Sequence, residues 1–241
     1  MATKTLVHVM RHGEVFNPEK VLYGRLPGYK LSEHGLKMAD RAAEHFKNSN
    51  LSLIVSSPLE RAQQTAAPTA NVHNLKPELN SLIIEAENVF EGKRVSVGDG
   101  ALRDPRNWWH LRNPFRPSWG EPYKQVADRM RTAIFSARDA AKGKEALLVS
   151  HQLPIWVARL SAEGRSFVHD PRKRQCSLAS VTTFVFDDNN LDTAEVSDEE
   201  VVEVEVAEIE EEDDDDTEVE DLDLASDVID ESELDQADEE N

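Results

Sequence analysis

Two arginines and two histidines stand where they could bind and attack a phosphate group. Arg11-His12 and Ser150-His151 each directly follow a short apolar stretch, and Arg61 lies a few residues beyond a third. Guanidinium groups match the oxygens of a phosphate, and a neutral imidazole can attack phosphorus while a second, protonated imidazole neutralises one oxygen. The residue types therefore indicate phosphoryl-transfer chemistry, provided that the fold brings the three positions together.

The elements that must position these residues alternate between strand and helix patterns. Strands are predicted at residues 5–10, 51–55, 146–149 and 178–186, and helices at residues 32–48, from residue 58, at 125–141 and at 154–163. This alternation predicts an α/β three-layer sandwich with a mostly parallel central sheet. Ligands of such sheets bind beyond the carboxyl ends of the strands, so the four side chains are expected to meet at one edge.

Charge divides the chain into two unlike parts. Residues 187–241 hold 29 of the 47 acidic residues and no Lys or Arg, which leaves 18 acidic and 27 basic residues in 1–186. A segment so acidic cannot bury enough apolar surface to offset its ordering entropy. We therefore predict a folded domain over residues 1–190 and a disordered acidic C-terminal tail over residues 191–241. A basic protein is the partner that would suit such a tail.

Composition also excludes several classes of protein. The sequence has no run of about 18 apolar residues that could cross a membrane, and its first residues do not have the pattern of a secretory signal. Its single cysteine, Cys176, can form neither an internal disulfide nor a Cys-based zinc site. We expect a cytoplasmic protein with neither a membrane nor a nucleic acid as partner.

Three motifs together resemble the signatures of the histidine phosphatase superfamily, the phosphoglycerate-mutase-like enzymes. They are Arg11-His12-Gly13-Glu14 with Asn17, the Ser-Ser-Pro-Leu-Glu-Arg-Ala segment at 56–62 with Thr65-Ala66, and Val149-Ser150-His151. The resemblance covers roughly residues 4–186. It implies that His12 is the nucleophile that becomes phosphohistidine, with Arg11, Arg61 and a protonated His151 around the phosphate. It also implies that Asn17 contacts phosphate and that Gly24 and Arg25 lie near the substrate entrance.

The proton donor of this family is usually a Glu that follows an apolar run. Glu85 directly follows Leu82-Ile83-Ile84 and is the predicted donor, with Glu87 as the alternative. Residues 91–123, rich in Trp, Pro and Arg, are predicted to form either a long loop or a Trp-filled subdomain.

The resemblance implies a metal-independent phosphomonoesterase that acts on a small phosphorylated metabolite and needs no cofactor. Phosphoglycerate mutases of the family carry a Glu-Arg-His-Tyr-Gly stretch and an Arg-Arg-Ser-Tyr-like stretch, and the sequence has neither. Mutase-type phosphoryl transfer is therefore the alternative. A third hypothesis is a non-catalytic binding protein that acts through its acidic tail, although the intact set of Arg11, His12, Arg61 and His151 argues against it.

Overall fold

A mixed, mostly parallel β-sheet forms the centre of the molecule. The computed structural model describes residues 4–94, 119–167, 174–187 and 190–196. Within them the strands are β1 (Lys4–Arg11), β2 (Leu51–Ser56), β3 (Glu78–Leu79), β4 (Glu145–Ser150), β5 (Val181–Asp187) and β6 (Asn190–Val196). Their order is β3-β2-β4-β1-β5-β6, with the first four parallel and the last two antiparallel to their neighbours. The predicted fold class is confirmed.

Helices cover both faces of this sheet. They are α1 (Glu33–Phe46), α2 (Glu60–His73), α3 (Tyr123–Ala140) and α4 (Gln152–Ala162), and a 3₁₀ turn spans Ser81–Ile83. Apolar residues of α1 and α2 join one core cluster, and those of α3 and α4 join the other. None of the helices in the described residues is long and apolar enough to cross a bilayer.

The two central strands are apolar on both faces, which is why they lie in the middle of the sandwich. In β4, Ala146 and Leu148 contribute to the α3–α4 core, whereas Leu147 and Val149 contribute to the α1–α2 core. All four are fully buried. Strands covered on both faces read as continuous apolar runs, and these runs end where the charged motif residues begin.

The last strand, β6, continues beyond residue 190, where the sequence predicted that the folded domain ends and the tail begins. β6 pairs antiparallel with β5 through Phe184–Val196, Val185–Glu195 and Asp187–Asn190. The folded part therefore extends to at least Val196, and the prediction that the tail starts at residue 191 is corrected. The Asp and Asn residues at 187–190 are typical of a tight hairpin turn, a signal that the surrounding acidic composition masked. The predicted tail from residue 197 onward and residues 95–118 of the predicted loop lie outside the described residues.

Truncation tests where the folded domain ends. A chain that stops after residue 199 should unfold at the same urea concentration as the full chain, because it keeps β6. A chain that stops after residue 187 loses the inter-strand hydrogen bonds of β6, so its free energy of unfolding should fall by about 2–3 kcal/mol. Urea denaturation followed by circular dichroism measures both. Equal midpoints for the two truncations would show that β6 adds nothing to the stability of the sheet.

Candidate active site

The carboxyl ends of three neighbouring parallel strands form the floor of the site. β4 lies between β1 and β2, and the Arg11 and Ser150 positions are paired across β1 and β4. The His12 amide donates to the Ser150 carbonyl at 3.1 Å, and the Ser57 amide donates to the Val149 carbonyl at 2.9 Å. The three motifs predicted to converge are thus joined by backbone hydrogen bonds immediately beyond the strands.

His12 presents one ring nitrogen to the site and uses the other as an anchor. Its Nδ1 lies 2.7 Å from the Gly13 carbonyl, which can only accept, so Nδ1 carries the proton. The Nε2 lone pair then accepts from Arg61 Nε at 3.3 Å. Burial, then the charges of Arg61 and Arg11, hold the pKa of His12 well below its ordinary 6.5. His12 is therefore a neutral imidazole with its nucleophilic nitrogen at Nε2.

The loop after β1 is fixed against the start of α1 by two glycines. A Cβ on Gly13 would lie 2.8 Å from the Gly35 carbonyl oxygen, and a Cβ on Gly35 would collide with the carbonyl of Glu14. The Gly13 amide also donates to Thr65 Oγ1 of α2 at 3.0 Å. Close backbone packing therefore sets the position of His12 from both helices of this layer.

Arg61 is a buried cation beside His12. It is only 1% exposed, and its Nη2 donates to the Gly24 carbonyl at 2.5 Å while its guanidinium lies 4.7 Å from the centre of the Tyr23 ring. α2 begins at Glu60 rather than at Pro58 as predicted, so Arg61 lies in its first turn. The helix N-terminus adds partial positive charge at this point.

Arg11 supplies a second guanidinium from the end of β1. Its Nη1 donates to the Cys176 carbonyl at 2.8 Å, and its Nε is buried without a hydrogen-bond partner among the described residues. A buried donor of this kind carries a desolvation penalty that an anionic ligand would relieve.

His151 faces His12, with the two ring centres 5.1 Å apart. Its Nε2 lies 2.7 Å from Ser57 Oγ, and that oxygen already accepts from the Leu59 amide at 3.4 Å. The Ser57 hydroxyl can donate to Nε2 or accept from it, because a hydroxyl oxygen has two lone pairs and one proton. The Nδ1 atom of His151 is buried and has no partner among the described residues, so it is the ring nitrogen that can meet a ligand oxygen.

The protonation state of His151 differs from the sequence expectation. Burial, followed by the charges of Arg61 and His12, lowers its pKa well below 6.5 and favours the neutral ring. The imidazolium expected from the sequence is thus not the favoured form in this structure. An arriving dianion would raise the pKa of His151, and the protonated ring would donate through Nδ1.

These two histidines should make the protein less stable in mild acid. Because their pKa values are lowered on folding, the unfolded chain binds the protons first, and stability falls as the pH drops below about 6.5. Between pH 7.5 and 5.5 each histidine should cost about 1.4 kcal/mol of unfolding free energy. His151→Gln should remove about that much of the difference measured by urea denaturation, whereas Ile134→Val in the α3 core should lower stability equally at both pH values. An undiminished pH dependence in His151→Gln would contradict this.

Glu85 lies on a segment that is attached to the end of β4. It follows the 3₁₀ turn Ser81–Ile83, and the Ile83 carbonyl accepts from Ser150 Oγ at 2.7 Å, which ties this segment to the end of β4. Glu85 is buried, and its Oε1 accepts from the Ala86 amide at 2.8 Å. Glu87, by contrast, has a 70% exposed side chain and is paired with Arg25 at 2.7 Å. The predicted donor Glu85 is thus buried, whereas the alternative Glu87 is exposed to solvent.

A pocket open to solvent lies beside Glu85. Neither His12 nor His151 is among its lining residues. Tyr23 and Gly24 line the pocket and also contact Arg61, so they connect the pocket to the cluster of arginines and histidines at the strand ends. The lining residues are Leu22, Tyr23, Gly24, Glu85, Ala86, Glu87, Asn88, Trp119, Gly120, Glu121, Tyr123, Leu153 and Arg174. The pocket therefore extends from the residues that contact Arg61 along Glu85.

The three residues predicted to bind substrate have different surroundings. Gly24 has φ +39° and presents its carbonyl to Arg61. The Asn17 side-chain amide donates to the Val21 carbonyl and accepts from the Val21 amide, and these two bonds close the loop between the residues. All three guanidinium nitrogens of Arg25 donate to protein oxygens, so a direct contact with substrate would replace one of these bonds.

Sequence reasoning did not assign roles to Ser57, Tyr23 or Arg174. Ser57 belongs to one of the three motifs, so the sequence could have indicated that it lies near His151. Tyr23 directly precedes the Gly24-Arg25 pair and Arg174 lies outside the three motifs, and only the fold shows that both line the pocket. In the described ranges, no three His, Cys, Asp or Glu side chains cluster as metal ligands would.

Comparisons with known proteins agree with this geometry. The chain is 52% identical over 191 residues, 79% of its length, to an uncharacterized protein of Mycobacterium tuberculosis, of which it covers 95%. It is 28% identical to a Shigella boydii protein named probable phosphoglycerate mutase, with 73% of this chain and 83% of that protein covered. The fold matches the solved phosphoserine phosphatase of Entamoeba histolytica with a TM-score of 0.65, at 21% identity, over 80% of this chain and 95% of that one. The model of the histidine phosphatase superfamily, branch 1, matches residues 7–199, and the chain belongs to that superfamily.

Proposed function

We propose that this protein is a metal-independent phosphomonoesterase that hydrolyses a small phosphorylated metabolite through a phosphohistidine at His12. One observation carries the proposal. The Nε2 lone pair of a neutral, buried histidine lies among two arginines and a second histidine whose buried Nδ1 has no partner among the described residues. Phosphoryl transfer needs an in-line nucleophile and positive charge around the equatorial oxygens, and this cluster supplies both.

In the first step, His12 Nε2 attacks phosphorus and the bond to the ester oxygen breaks. Arg61 exchanges its contact with Nε2 for a phosphate oxygen, and Arg11 Nε and His151 Nδ1 donate to other oxygens. The Gly13 carbonyl, held at 2.7 Å from Nδ1, stabilises the positive charge that phosphorylation leaves on the ring. Glu85, in its protonated form, gives its proton to the leaving alkoxide.

In the second step, water attacks the phosphohistidine. Glu85, now a carboxylate, accepts a proton from that water, the P–N bond breaks, and phosphate leaves with His12 restored to its neutral form. Charge and protons balance over the cycle.

Mutase-type phosphoryl transfer is the alternative, and the likeness to a probable phosphoglycerate mutase supports it. A mutase returns the phosphoryl group from His12 to a second hydroxyl of the substrate rather than to water. The absence of the two stretches typical of phosphoglycerate mutases favours the phosphatase.

A panel of phosphomonoesters assayed for phosphate release, with and without EDTA, tests the proposal. Hydrolysis that EDTA leaves unchanged supports it. Interconversion of 3- and 2-phosphoglycerate faster than phosphate release would establish the mutase instead, and phosphate release that EDTA abolishes would remove the metal-independent mechanism.

A further inference from the structure

Arg25 contacts the segment that carries the proposed proton donor. Its Nε donates to the backbone carbonyl of Glu85 at 2.6 Å, and its Nη1 and Nη2 donate to the carboxylates of Glu87 at 2.7 Å and Glu121 at 2.9 Å. The Arg25 side chain is 25% exposed, and its contacts with Glu85 and Glu121 are partly buried, whereas the contact with Glu87 is exposed. The guanidinium thus connects one backbone carbonyl and two carboxylates.

Arg129 of α3 holds the same segment from the other side. Its Nη1 donates to the Leu82 carbonyl at 2.6 Å, while its Nε and Nη2 donate to the two oxygens of Glu121 at 2.8 and 3.0 Å. Glu121, whose side chain is 13% exposed, therefore joins the two arginines. Charge-assisted and bidentate hydrogen bonds of this kind fix geometry more strictly than single neutral ones.

Backbone pairing completes the frame around this segment. The Glu121 amide donates to the Glu87 carbonyl at 3.1 Å, and the Val89 amide donates to the Trp119 carbonyl at 2.8 Å. A Cβ on Gly120 would collide with the Glu87 carbonyl, so only glycine permits this approach. The backbone that carries Glu85 is consequently held at Leu82, Glu85 and Glu87.

The Gly24-Arg25 pair also connects the cluster around His12 with the segment that carries Glu85. The Gly24 carbonyl accepts from Arg61, which lies beside His12, and the next residue bonds the backbone of Glu85. The Arg25 amide donates to Glu91 Oε1 at 2.9 Å, and a Cβ on Gly24 would collide with that same carboxylate. A displacement of this dipeptide would move the proposed proton donor relative to the nucleophile.

We propose that Arg25 is a positioning residue for the Glu85 carboxyl, acting with Glu121 and Arg129. This inference rests on the proposed function, because it assigns a role to the geometry of the donor. It differs from the expectation that Arg25 binds substrate directly. General acid catalysis depends on distance, and a displacement of about 1 Å can cost about 100-fold in rate.

A double-mutant cycle between Arg25→Ala and Glu85→Gln tests the proposal, measured on an alkyl phosphate and on p-nitrophenyl phosphate. An alkoxide needs the proton from Glu85, whereas p-nitrophenolate leaves without it. The rate compared is that of His12 phosphorylation in a single turnover, because hydrolysis of the phosphohistidine also uses Glu85 and is common to both esters. Arg25→Ala should lower this rate by about 10- to 100-fold on the alkyl ester and by less than about 3-fold on the aryl ester, with little change in KM. In the Glu85→Gln background, Arg25→Ala should have almost no further effect on either ester.

A matched control is Arg159→Ala, which removes an arginine paired with Glu163 at 2.7 Å on α4, away from Glu85. It should leave both activities unchanged. If Arg25→Ala fails to fold, Arg25→Lys and Glu121→Gln replace it in the same cycle, with smaller losses confined to the alkyl ester.

Three results would overturn the positioning role. Equal losses on the two esters, or an undiminished loss in the Glu85→Gln background, would show that Arg25 does not act through Glu85. A large rise in KM at constant kcat would return Arg25 to direct substrate binding. In each of these cases the wild type still hydrolyses phosphomonoesters, and the proposed function stands. A wild type that hydrolyses none overturns both.

Discussion

Replacing His12 by alanine is expected to abolish phosphomonoester hydrolysis, with kcat reduced by about 10⁴- to 10⁶-fold. No other described side chain offers an unprotonated nitrogen in contact with Arg61 at this position. The variant should also fail to become labelled by a ³²P-phosphomonoester in rapid-quench experiments, whereas the wild type should form an acid-labile, base-stable phosphoprotein. Retained turnover or retained labelling in the variant would exclude His12 as the nucleophile.

The fold of the variant needs a control because His12 also accepts a hydrogen bond from buried Arg61. His12→Gln offers a carbonyl oxygen to the same guanidinium and should be equally inactive while retaining more of the wild-type stability. His45→Ala, a change at an exposed position on α1, should be fully active. Loss of activity in both His12 variants, with near-native circular dichroism, would separate chemistry from stability.

Replacing Glu85 by glutamine is expected to give losses that depend on the leaving group. Glutamine has the shape of the protonated acid and can still accept from the Ala86 amide, but it cannot transfer a proton. Phosphorylation of His12 by alkyl phosphates should slow by about 10²- to 10⁴-fold and that by p-nitrophenyl phosphate by much less, whereas hydrolysis of the phosphohistidine should slow equally for both. A plot of the logarithm of the single-turnover phosphorylation rate against leaving-group pKa should therefore be steeper for the variant than for the wild type.

The alternative donor is tested by the same plot. Glu87→Gln should give a slope close to that of the wild type, because the Glu87 side chain is mostly exposed and paired with Arg25. A steep slope for Glu87→Gln and a shallow one for Glu85→Gln would reverse the assignment.

The parts of the fold that could be predicted are those where one local pattern decides the structure. β4 is apolar at every position from Ala146 to Val149, and β1 is similar, so both had to lie at the centre of a covered sheet. The motif residues come directly after these strands, and parallel pairing then fixed their common edge. β6 was missed because edge strands bury little and need no strong pattern.

The site was less predictable where roles depend on contacts between distant segments. Arg25 is separated by 60 residues from Glu85 and by 96 from Glu121, and the local sequence does not indicate that these groups are in contact. The neutral state of His151 likewise follows from burial and from the charge of Arg61, which only the assembled fold provides.

The backbone hydrogen bonds that join His12 to Ser150 and Ser57 to Val149 have a consequence for how the enzyme should fail on warming. These bonds belong to the central strands, so the cluster of Arg11, His12, Arg61 and His151 should open only when the whole sheet unfolds. The segment that carries Glu85 is built from loops and can open locally at a lower free-energy cost. Warming should therefore impair turnover of alkyl esters before that of aryl esters. Amide hydrogen exchange would show the same order, with the amides of His12 and Ser57 exchanging at the global rate and those of residues 86–91 exchanging earlier.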